Sequence, residues 1–248
     1  GAKLMSVHGR AENLIRAVRE HKRVFALLGG KGSVKELCEE LLFYGLSEVR
    51  LTVGENLSYG TERITSGCPK EFLDRSFDGL AAVILENPEG GRERVTHGLP
   101  DEEFIRGEVP MTKLEVRSVS LSRLELKRDS VIYDIGAGTG SVSVEAALLA
   151  SEGRVYAIER KREAAELIRE NRRKFAVSNL EVVEGLAPEA LSGLPAPTHA
   201  FIGGSAGNLK EIVQVLLEKN STVRVVINAI ALETVAEASE LIRELPVE

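Results

Sequence analysis

The middle of the chain reads Val131-Ile132-Tyr133-Asp134-Ile135-Gly136-Ala137-Gly138-Thr139-Gly140. A short apolar run that is rich in β-branched residues and ends at glycines is typical of a buried strand in a parallel sheet. A helical pattern follows at residues 141–150, so we expect a strand, a glycine turn and a helix. Glycine lets a ligand approach the backbone, and the helix N-terminus offers free N–H groups to an anionic group such as a carboxylate. The segment therefore predicts a ligand site at the end of a strand.

The spacing of these glycines distinguishes between two kinds of nucleotide site. The dinucleotide fingerprint Gly-x-Gly-x-x-Gly would place its third glycine at position 141, where Ser141 stands. The next predicted strand, residues 154–158, is followed by Glu159, 19 residues after Gly140. An acidic residue there can accept hydrogen bonds from both ribose hydroxyls. The pattern Asp-x-Gly-x-Gly-x-Gly, which begins at Asp134, resembles the first motif of class I S-adenosylmethionine-dependent methyltransferases. The alternatives are another nucleotide-binding turn and a purely structural turn.

Length and composition are those of a soluble globular protein with one large domain or two modest ones. The 248 residues are 43% hydrophobic and 28% charged, and the net charge of −6 gives no sign of nucleic-acid binding. No apolar run reaches the roughly 20 residues of a membrane span, and no signal-peptide pattern opens the chain. Two cysteines without Cys-x-x-Cys spacing favour a reduced, cytoplasmic setting. The histidines show no metal-ligand spacing, so we expect no metal site.

The first third of the chain alternates strand and helix patterns. The strands are predicted at residues 3–7, 24–28, 48–53 and 80–85. A helix from Ser33 to Tyr44 begins with the capping-box pattern Ser33-x-x-Glu36. The Gly29–Gly32 turn lacks Walker spacing, which favours a plain turn over a phosphate cradle. His8-Gly9-Arg10 is equally a site or a turn.

Proline and glycine between residues 87 and 101 indicate a linker, which divides the chain into 1–90, 91–100 and 101–248. Beyond it a helix is predicted to about residue 126, and five strands then alternate with helices. The strands are expected at residues 131–135, 154–158, 180–183, 199–202 and 223–227, and the helices between and after them at residues 141–150, 161–175, 209–219 and 232–245. This order predicts a doubly wound parallel sheet with ligands at the carboxyl ends of its strands. The methyltransferase fold normally adds a final antiparallel hairpin, which we expect this chain to lack. With its Gly1-Ala2 start, we expect it to be a piece of a longer protein.

Four turns of the second part make the resemblance more specific. They are Pro110-Met111-Thr112-Lys113-x-Glu115-x-Arg117, Glu184-Gly185-Leu186-Ala187-Pro188-Glu189-Ala190-Leu191, Phe201-Ile202-Gly203-Gly204-Ser205-x-Gly207-Asn208 and Asn228-Ala229-x-x-Leu232-Glu233-Thr234. Over about residues 101–245 this set resembles the decarboxylating precorrin C15-methyltransferase family of cobalamin biosynthesis. The implied fold is a Rossmann-like class I methyltransferase domain.

The first part resembles another domain of the same pathway. Ser6-Val7-His8-Gly9-Arg10 and Glu55-Asn56-Leu57-x-Tyr59-x-x-Glu62-Arg63-Ile64 resemble the second lobe of precorrin C5-methyltransferase domains, which are α/β domains of the tetrapyrrole methylase type. In fused C5,15-methyltransferases this domain comes first. The resemblance implies an active site between two lobes, so with the first lobe absent we expect C5 activity to be lost and residues 1–90 to be structural.

The resemblance implies a donor site and a substrate site. The residues expected around S-adenosylmethionine are Thr112, Asp134, Gly136, Ala137, Gly138, Thr139, Gly140, Glu159 and Ala187. Thr112 and Ala187 depend on the resemblance alone, and Thr112-x-x-Glu115 also predicts a helix N-cap. Leu186 stands where the family usually has Asp, so the N–H of Ala187 is expected to serve the adenine.

The implied substrate is a precorrin ring with many carboxylates, for which basic side chains are natural partners. The residues expected to hold it are Arg106, Lys113, Arg117, Gly203, Gly204, Ser205, Asn208 and Asn228. The three cations are equally consistent with ordinary solvated charge. Methyl transfer to an electron-rich carbon needs mainly positioning, and the conjugated ring can take up the electrons of decarboxylation. We therefore assign no catalytic acid or base.

Two other functions remain open from the sequence. One is a class I methyltransferase acting on tRNA or another substrate, against which stand the negative charge and Gly203-Gly204-Ser205 in place of an Asn-Pro-Pro-Tyr-like motif. The other is a donor-binding module without activity. The resemblance further implies a homo-oligomer, a tetramer, and leaves open whether the precorrin contains cobalt.

Overall fold

The computed structural model describes residues 2–6, 13–29, 33–91 and 97–245. The predicted His8-Gly9-Arg10 feature and the glycines at 30 and 32 therefore lie outside the described residues. The chain divides into two compact units, Gly1–Arg94 and Val95–Glu248. Leu99, inside the predicted linker, is buried in the core of the second unit.

The described residues of the first unit form a five-stranded mixed sheet and three helices. Its elements are β1 (Lys3–Ser6), α1 (Leu14–Glu20), β2 (Arg23–Gly29), α2 (Val34–Phe43), β3 (Arg50–Glu55), β4 (Arg63–Gly67), α3 (Pro69–Phe72) and β5 (Leu80–Glu86). The strand order is β1-β2-β5-β3-β4. Strands β1 and β2 are parallel, whereas β2 pairs with β5, β5 with β3 and β3 with β4 in antiparallel fashion. The four predicted strands and α2 are confirmed, and β4, α1 and α3 were not predicted.

The second unit is a parallel α/β domain. Its elements are α4 (Leu114–Leu124), β6 (Val131–Ile135), α5 (Ser141–Leu149), β7 (Arg154–Glu159), α6 (Arg162–Phe175), β8 (Leu180–Glu184), β9 (His199–Ile202), α7 (Leu209–Lys219), β10 (Arg224–Ile227) and α8 (Leu232–Glu244). The sheet order is β10-β9-β6-β7-β8, and every pair is parallel. The predicted doubly wound sheet is confirmed, with predicted element ends within about two residues of the observed ones.

The sheet of the second unit has a hydrophobic core on each face. Alternate residues of β6 point to opposite faces, so Ile132 belongs to one core, whereas Tyr133 and Ile135 belong to the other. The first core receives residues of α4, α5 and α6, and the second those of α7 and α8. Helix α5 is buried from Ser141 to Leu148, and apart from Glu145 its residues are apolar residues and serines.

The order of the strands places a crevice at one edge of the sheet. The chain runs outward from β6 through β7 to β8, and then returns to β9 on the other side of β6. Ligands of open α/β sheets bind at the carboxyl ends of the strands next to this reversal. The loops after β6, β7 and β9 are therefore the ones that can form a site. No described helix is long and apolar enough to cross a membrane.

We expect Ser33→Ala to lower the free energy of unfolding of the first unit by about 1 kcal/mol, because it removes the N-cap of α2. The Ser33 Oγ accepts from the Glu36 N–H at 3.1 Å, and the Glu36 carboxylate accepts from the Ser33 N–H at 2.9 Å. Urea denaturation followed by circular dichroism measures the change. Ser33→Asp keeps an acceptor at the cap and should stay near the wild type. Equal destabilisation by both variants would contradict the capping role.

Candidate functional site

A cavity of about 970 Å³ opens at the carboxyl ends of β6, β7, β9 and β10. Its floor and walls come from the turns that follow these strands and β8. They include Ile135–Gly138, Ile158–Lys161, Gly185–Ala187, Gly203–Ala206 and Ile227–Ile230. One side is closed by the end of a segment that we call the roof, residues 97–113, of which Glu108–Lys113 line the cavity. The volume is in the range that holds an ordinary small-molecule ligand.

The glycine turn after β6 brings three parts of the backbone together. Gly136 has φ +74°, and a Cβ at this position would lie 2.7 Å from the carbonyl oxygen of Gly204. Gly138 has φ +57°, and a Cβ there would lie 2.8 Å from the carbonyl oxygen of Pro110. Both conformations and both approaches require glycine. The turn is therefore packed against the β9 turn on one side and the roof on the other.

Glu159 ends β7 and lines the cavity with a side chain that is 8% exposed. One carboxylate oxygen accepts from the Gly138 N–H at 3.0 Å, and the other accepts from the Lys161 N–H at 2.9 Å. These bonds fix the carboxylate beside the glycine turn. Because a carboxylate oxygen has two acceptor positions, each oxygen can still accept from a ligand hydroxyl.

A buried polar layer lies beneath the glycine turn. The Oδ2 atom of Asp134 accepts from the Ser143 hydroxyl, whereas Oδ1 has no hydrogen-bond partner. Burial raises the pKa of Asp134 to about 7, although the bond from Ser143 acts in the opposite direction. The hydroxyl of Thr139 is also buried without a partner. Among the described residues, no His, Cys, Asp and Glu side chains form a group that could hold a metal ion.

The second unit has a sequence that matches a known protein family. Residues 103–246 match the family of the precorrin methyltransferase domain. The chain belongs to this family. It is therefore a methyltransferase of the Rossmann-like class I, with S-adenosylmethionine as methyl donor.

Individual relatives agree with this assignment. The chain is 47% identical over 148 residues to the probable cobalt-precorrin-6B C(15)-methyltransferase (decarboxylating) of Pyrobaculum calidifontis, which covers 58% of this chain and 76% of the relative. It is 34% identical to the precorrin-6Y C(5,15)-methyltransferase [decarboxylating] of Sinorhizobium sp. over 92% of this chain and 56% of that protein. The crystal structure of precorrin-6y C5,15-methyltransferase from Geobacter metallireducens superposes with a TM-score of 0.59 at 42% identity, covering 61% of this chain and 81% of that one.

Six of the predicted donor residues line the cavity of this precorrin methyltransferase domain. They are Thr112, Gly136, Ala137, Gly138, Glu159 and Ala187. Leu186 lines it as well, with 41% of its surface exposed. Whether these residues contact the donor stays a prediction. Thr112 lies at the end of the roof, and the other five lie at the carboxyl ends of the strands or on the loops that follow them.

The other three predicted donor residues do not line the cavity. Asp134 and Thr139 are buried beneath the turn, at 1% and 0% exposure. At Gly140 a Cβ would lie 2.9 Å from the Cγ2 of Ile168, so this glycine makes room for α6 rather than for a ligand. None of the three lines the cavity, and a contact between them and the donor stays a prediction.

The predicted N-cap of α4 is also corrected. Helix α4 begins after Lys113 rather than after Thr112, and its first N–H, that of Leu114, donates to the carboxylate of Asp101 at 3.1 Å. The cap therefore comes from a residue 13 positions earlier in the chain. This leaves Thr112 as part of the cavity wall.

Five of the predicted substrate residues line the cavity, namely Lys113, Gly203, Gly204, Ser205 and Asn228. Arg106 is exposed outside the cavity lining. Asn208 is turned inward, since its amide donates to the carbonyl oxygen of Ala187 at 3.2 Å. Asn208 opens α7 as expected, but neither residue lines the cavity, and their contact with a substrate stays a prediction.

Arg117, the third predicted substrate residue outside the cavity lining, lies inside the core. Its side chain is fully buried, with Nε 2.7 Å from the carboxylate of Glu145 and Nη1 2.7 Å from the carbonyl oxygen of Thr112. It also contacts the Asp101 carboxylate and the Leu99 carbonyl oxygen. A guanidinium committed to these partners is not free to bind a substrate carboxylate.

Several cavity residues were not predicted. Arg160 and Lys161 follow Glu159 directly, which was a usable signal because consecutive residues after a strand share its loop. Val116 and Ile230 also line the cavity, with 49% and 98% exposure. Isolated apolar residues on a helix face or in a loop carry no comparable signal.

We expect Gly136→Ala to weaken binding of S-adenosylhomocysteine by at least about 10-fold, because its Cβ would displace the β9 turn. Gly193→Ala is a matched control. Gly193 has φ +76° with nothing within 4 Å of an added Cβ, so both variants carry the left-handed penalty of about 1–2 kcal/mol but only one carries the clash. Isothermal titration calorimetry and thermal unfolding of both variants measure the difference. Equal affinities would contradict the close approach.

Asp134 gives the domain a characteristic pH dependence. The unfolded chain releases this proton near pH 4, whereas the folded chain, in which the pKa is raised to about 7, retains it. The folded state therefore binds more protons in this window, and the free energy of unfolding should fall as pH rises from about 4 to about 7. The contribution of Asp134 is at most about 4 kcal/mol and is level above pH 7. Asp134→Asn should flatten this slope in urea denaturation curves, and an unchanged slope would contradict the assignment.

Proposed function

We propose that the second unit transfers a methyl group from S-adenosylmethionine to C15 of a precorrin and removes a ring acetate carboxyl group as CO₂. One observation carries the proposal. A fixed strand-end glutamate and a glycine turn face one cavity in a domain that is 47% identical to a probable cobalt-precorrin-6B C(15)-methyltransferase. The same family match disfavours a tRNA substrate.

The donor is proposed to lie across the ends of β6 and β7. Its ribose hydroxyls would bind the carboxylate of Glu159, which two backbone N–H groups already hold in place. Its amino-acid part would lie against the Gly136–Gly138 turn and Thr112, and its adenine against Leu186 and the N–H of Ala187. Leu186 offers apolar contact, so hydrogen bonding to adenine is assigned to the backbone.

The precorrin is proposed to enter from the side of β9 and β10. Gly203–Ser205 and Asn228 line this side and offer backbone N–H groups and an amide to carboxylates of the ring. Lys113 is one of the cations that line the cavity; its ammonium lies 3.3 Å from the Asp101 carboxylate, and its side chain is 58% exposed. Val116 and Ile230 supply apolar surface for the face of the ring.

The bound donor supplies an electrophilic methyl group on a sulfonium. Transfer would form the bond between this methyl group and the ring carbon as the bond to the donor sulfur breaks, with S-adenosylhomocysteine as the leaving group, and the ring would then release a proton to water. The residues that line the cavity would hold the accepting carbon in line, at about 3–3.5 Å from the methyl group. In decarboxylation the bond to the acetate carboxylate breaks, CO₂ leaves, and the conjugated ring takes up the electron pair and then a proton from water. Positioning by the cavity walls is thus sufficient, and no general acid or base is assigned.

We further propose that residues 1–90 are the second lobe of a precorrin C5-methylase domain with a structural role here. The support is the 34% identity to a C(5,15)-methyltransferase over 92% of this chain. A cytoplasmic location and a homo-oligomer, a tetramer, are proposed on the family resemblance and on the two free cysteines. Sedimentation velocity tests the oligomer.

The function is tested by incubating the chain with a precorrin and donor labelled in its methyl group. The proposal predicts a product that gains one labelled methyl group and loses one carboxyl group in mass spectrometry, with release of CO₂. Label on tRNA in a parallel incubation would favour the other substrate class. Donor binding without turnover of cobalt-free and cobalt-containing precorrins would favour a binding module.

We expect Glu159→Ala to weaken donor binding by roughly 1–3 kcal/mol, since it removes a charged hydrogen-bond acceptor. Glu184→Ala is a suitable control, because Glu184 ends the neighbouring strand in register with Glu159 but pairs with Arg169 outside the cavity lining. Calorimetric titration with S-adenosylhomocysteine compares the two. Unchanged affinity in Glu159→Ala would contradict the ribose assignment.

A further inference from the structure

We propose that Arg117 and Asn171 are positioning residues for donor binding, because together they hold the roof over the donor cavity. The inference deepens the proposed function and rests on its donor site. Within residues 97–113 the only regular element is a single 3-10 turn at Asp101–Glu103. The position of the roof therefore depends on side chains that reach it from the helices.

The first tether is the buried pair of Arg117 and Glu145. Arg117, on α4, donates to backbone carbonyl oxygens at both ends of the roof, those of Leu99 and Thr112. Glu145, on α5, accepts from the N–H groups of Gly98 at 2.9 Å and Leu99 at 3.1 Å. Each charged side chain thus hydrogen-bonds to backbone groups of the roof as well as to its ionic partner. The roof is clamped where it begins and where it meets the cavity.

The second tether is Asn171 on α6. Its Oδ1 accepts from the Ile105 N–H at 2.9 Å, and its Nδ2 donates to the Ile105 carbonyl oxygen at 2.7 Å. The same Nδ2 donates to the carbonyl oxygen of Thr139 at 2.9 Å. A single fully buried side chain therefore connects the middle of the roof to the glycine turn.

Aromatic packing joins the two tethers. The ring of Phe104, next to Ile105 in the roof, lies 4.8 Å from the guanidinium carbon of Arg117 and 4.9 Å from the ring of Phe175. Phe104 is nearly buried in the core of the unit. This arrangement leaves residues 106–112 as a short span between fixed ends.

The span touches the donor site directly. The carbonyl oxygen of Pro110 occupies the space that a Cβ of Gly138 would need, and Thr112 lies in the cavity wall. A buried ion pair adds little net stability compared with apolar packing, because desolvating its charges is unfavourable. The planar guanidinium of Arg117, however, holds several acceptors in one fixed geometry. We therefore assign the tethers to preorganising the roof, which reduces the ordering that donor binding would otherwise require.

Asn171→Ala and the matched control Asn179→Ala test the proposal. Asn179 is another buried asparagine of the same unit, and its amide donates to the carbonyl oxygens of Ala147 on α5 and of Ala150, which follows that helix, and to none of the roof. Both variants should lower the melting temperature of the full chain by similar amounts, since each leaves buried carbonyl oxygens unpaired. Asn171→Ala alone should raise the Kd for S-adenosylhomocysteine, by roughly 10-fold. It alone should also speed hydrogen exchange at the Ile105 N–H.

Arg117→Lys is the second variant, because a lysine cannot reach Leu99, Thr112 and Glu145 at the same time. It should raise the Kd for S-adenosylhomocysteine and speed exchange at Gly98 and Leu99. Equal Kd values for Asn171→Ala and Asn179→Ala, or unchanged exchange in the roof of both tether variants, would overturn the proposal. This failure is distinguishable from that of the proposed function, which would show as a wild-type chain that binds S-adenosylhomocysteine but neither methylates nor decarboxylates a precorrin.

Discussion

At the carboxyl edge of the parallel sheet, the backbone of the turn after β6 packs directly against the backbone of the turn after β9. The site depends on this contact. The turns after β6 and β9 approach so closely that a Cβ on Gly136 would lie 2.7 Å from the carbonyl oxygen of Gly204. The approach is possible because the strand order places β9 directly beside β6. It fixes the turn so that the Gly138 N–H can reach Glu159, and it leaves the cavity on the open side.

The acidic and basic side chains buried behind this turn avoid an unpaired charge in two ways. Arg117 and Glu145 are fully buried but satisfy each other and several backbone groups. Asp134 is hydrogen-bonded through one oxygen to the Ser143 hydroxyl, and its pKa is raised towards neutrality because burial disfavours the charged form. Both solutions follow from the cost of burying an unpaired charge. The donor side of the domain therefore lies on a polar layer inside an otherwise apolar core.

Much of the fold could be predicted because its signals are local. The apolar run of β6, the glycines that end it and the acid after β7 are all short patterns, and the alternation of strands and helices determined the parallel sheet. The same holds for the capping box of α2. Strand β4 was missed because its sequence signal is weak: only one of its five residues is buried, and apolar and polar residues do not clearly alternate.

The direction of individual side chains could not be predicted in this way. Arg117 was expected in the substrate site because basic residues near a site are natural carboxylate partners, yet its partners are a glutamate 28 residues later and backbone carbonyls of the roof. Asp134 and Gly140 belong to the same motif as Gly136, but they face the core. The direction of each side chain depends on how α6 and the roof pack against the turn, and short sequence patterns do not predict this packing. The one available signal was Glu145, a charge inside the apolar sequence of α5.

The two sides of the cavity differ in whether backbone or side-chain atoms line them. The glycine turn contributes bare peptide, whereas the opposite rim includes the side chains of Val116 and Ile230, both of them substantially solvent-facing. Exchanging such exposed side chains usually alters stability little. Substrate preference in this scaffold can therefore be re-engineered at the rim while the methyl-donor half is left untouched, which makes the domain a practical starting point for alkylating other large, flat, anionic molecules.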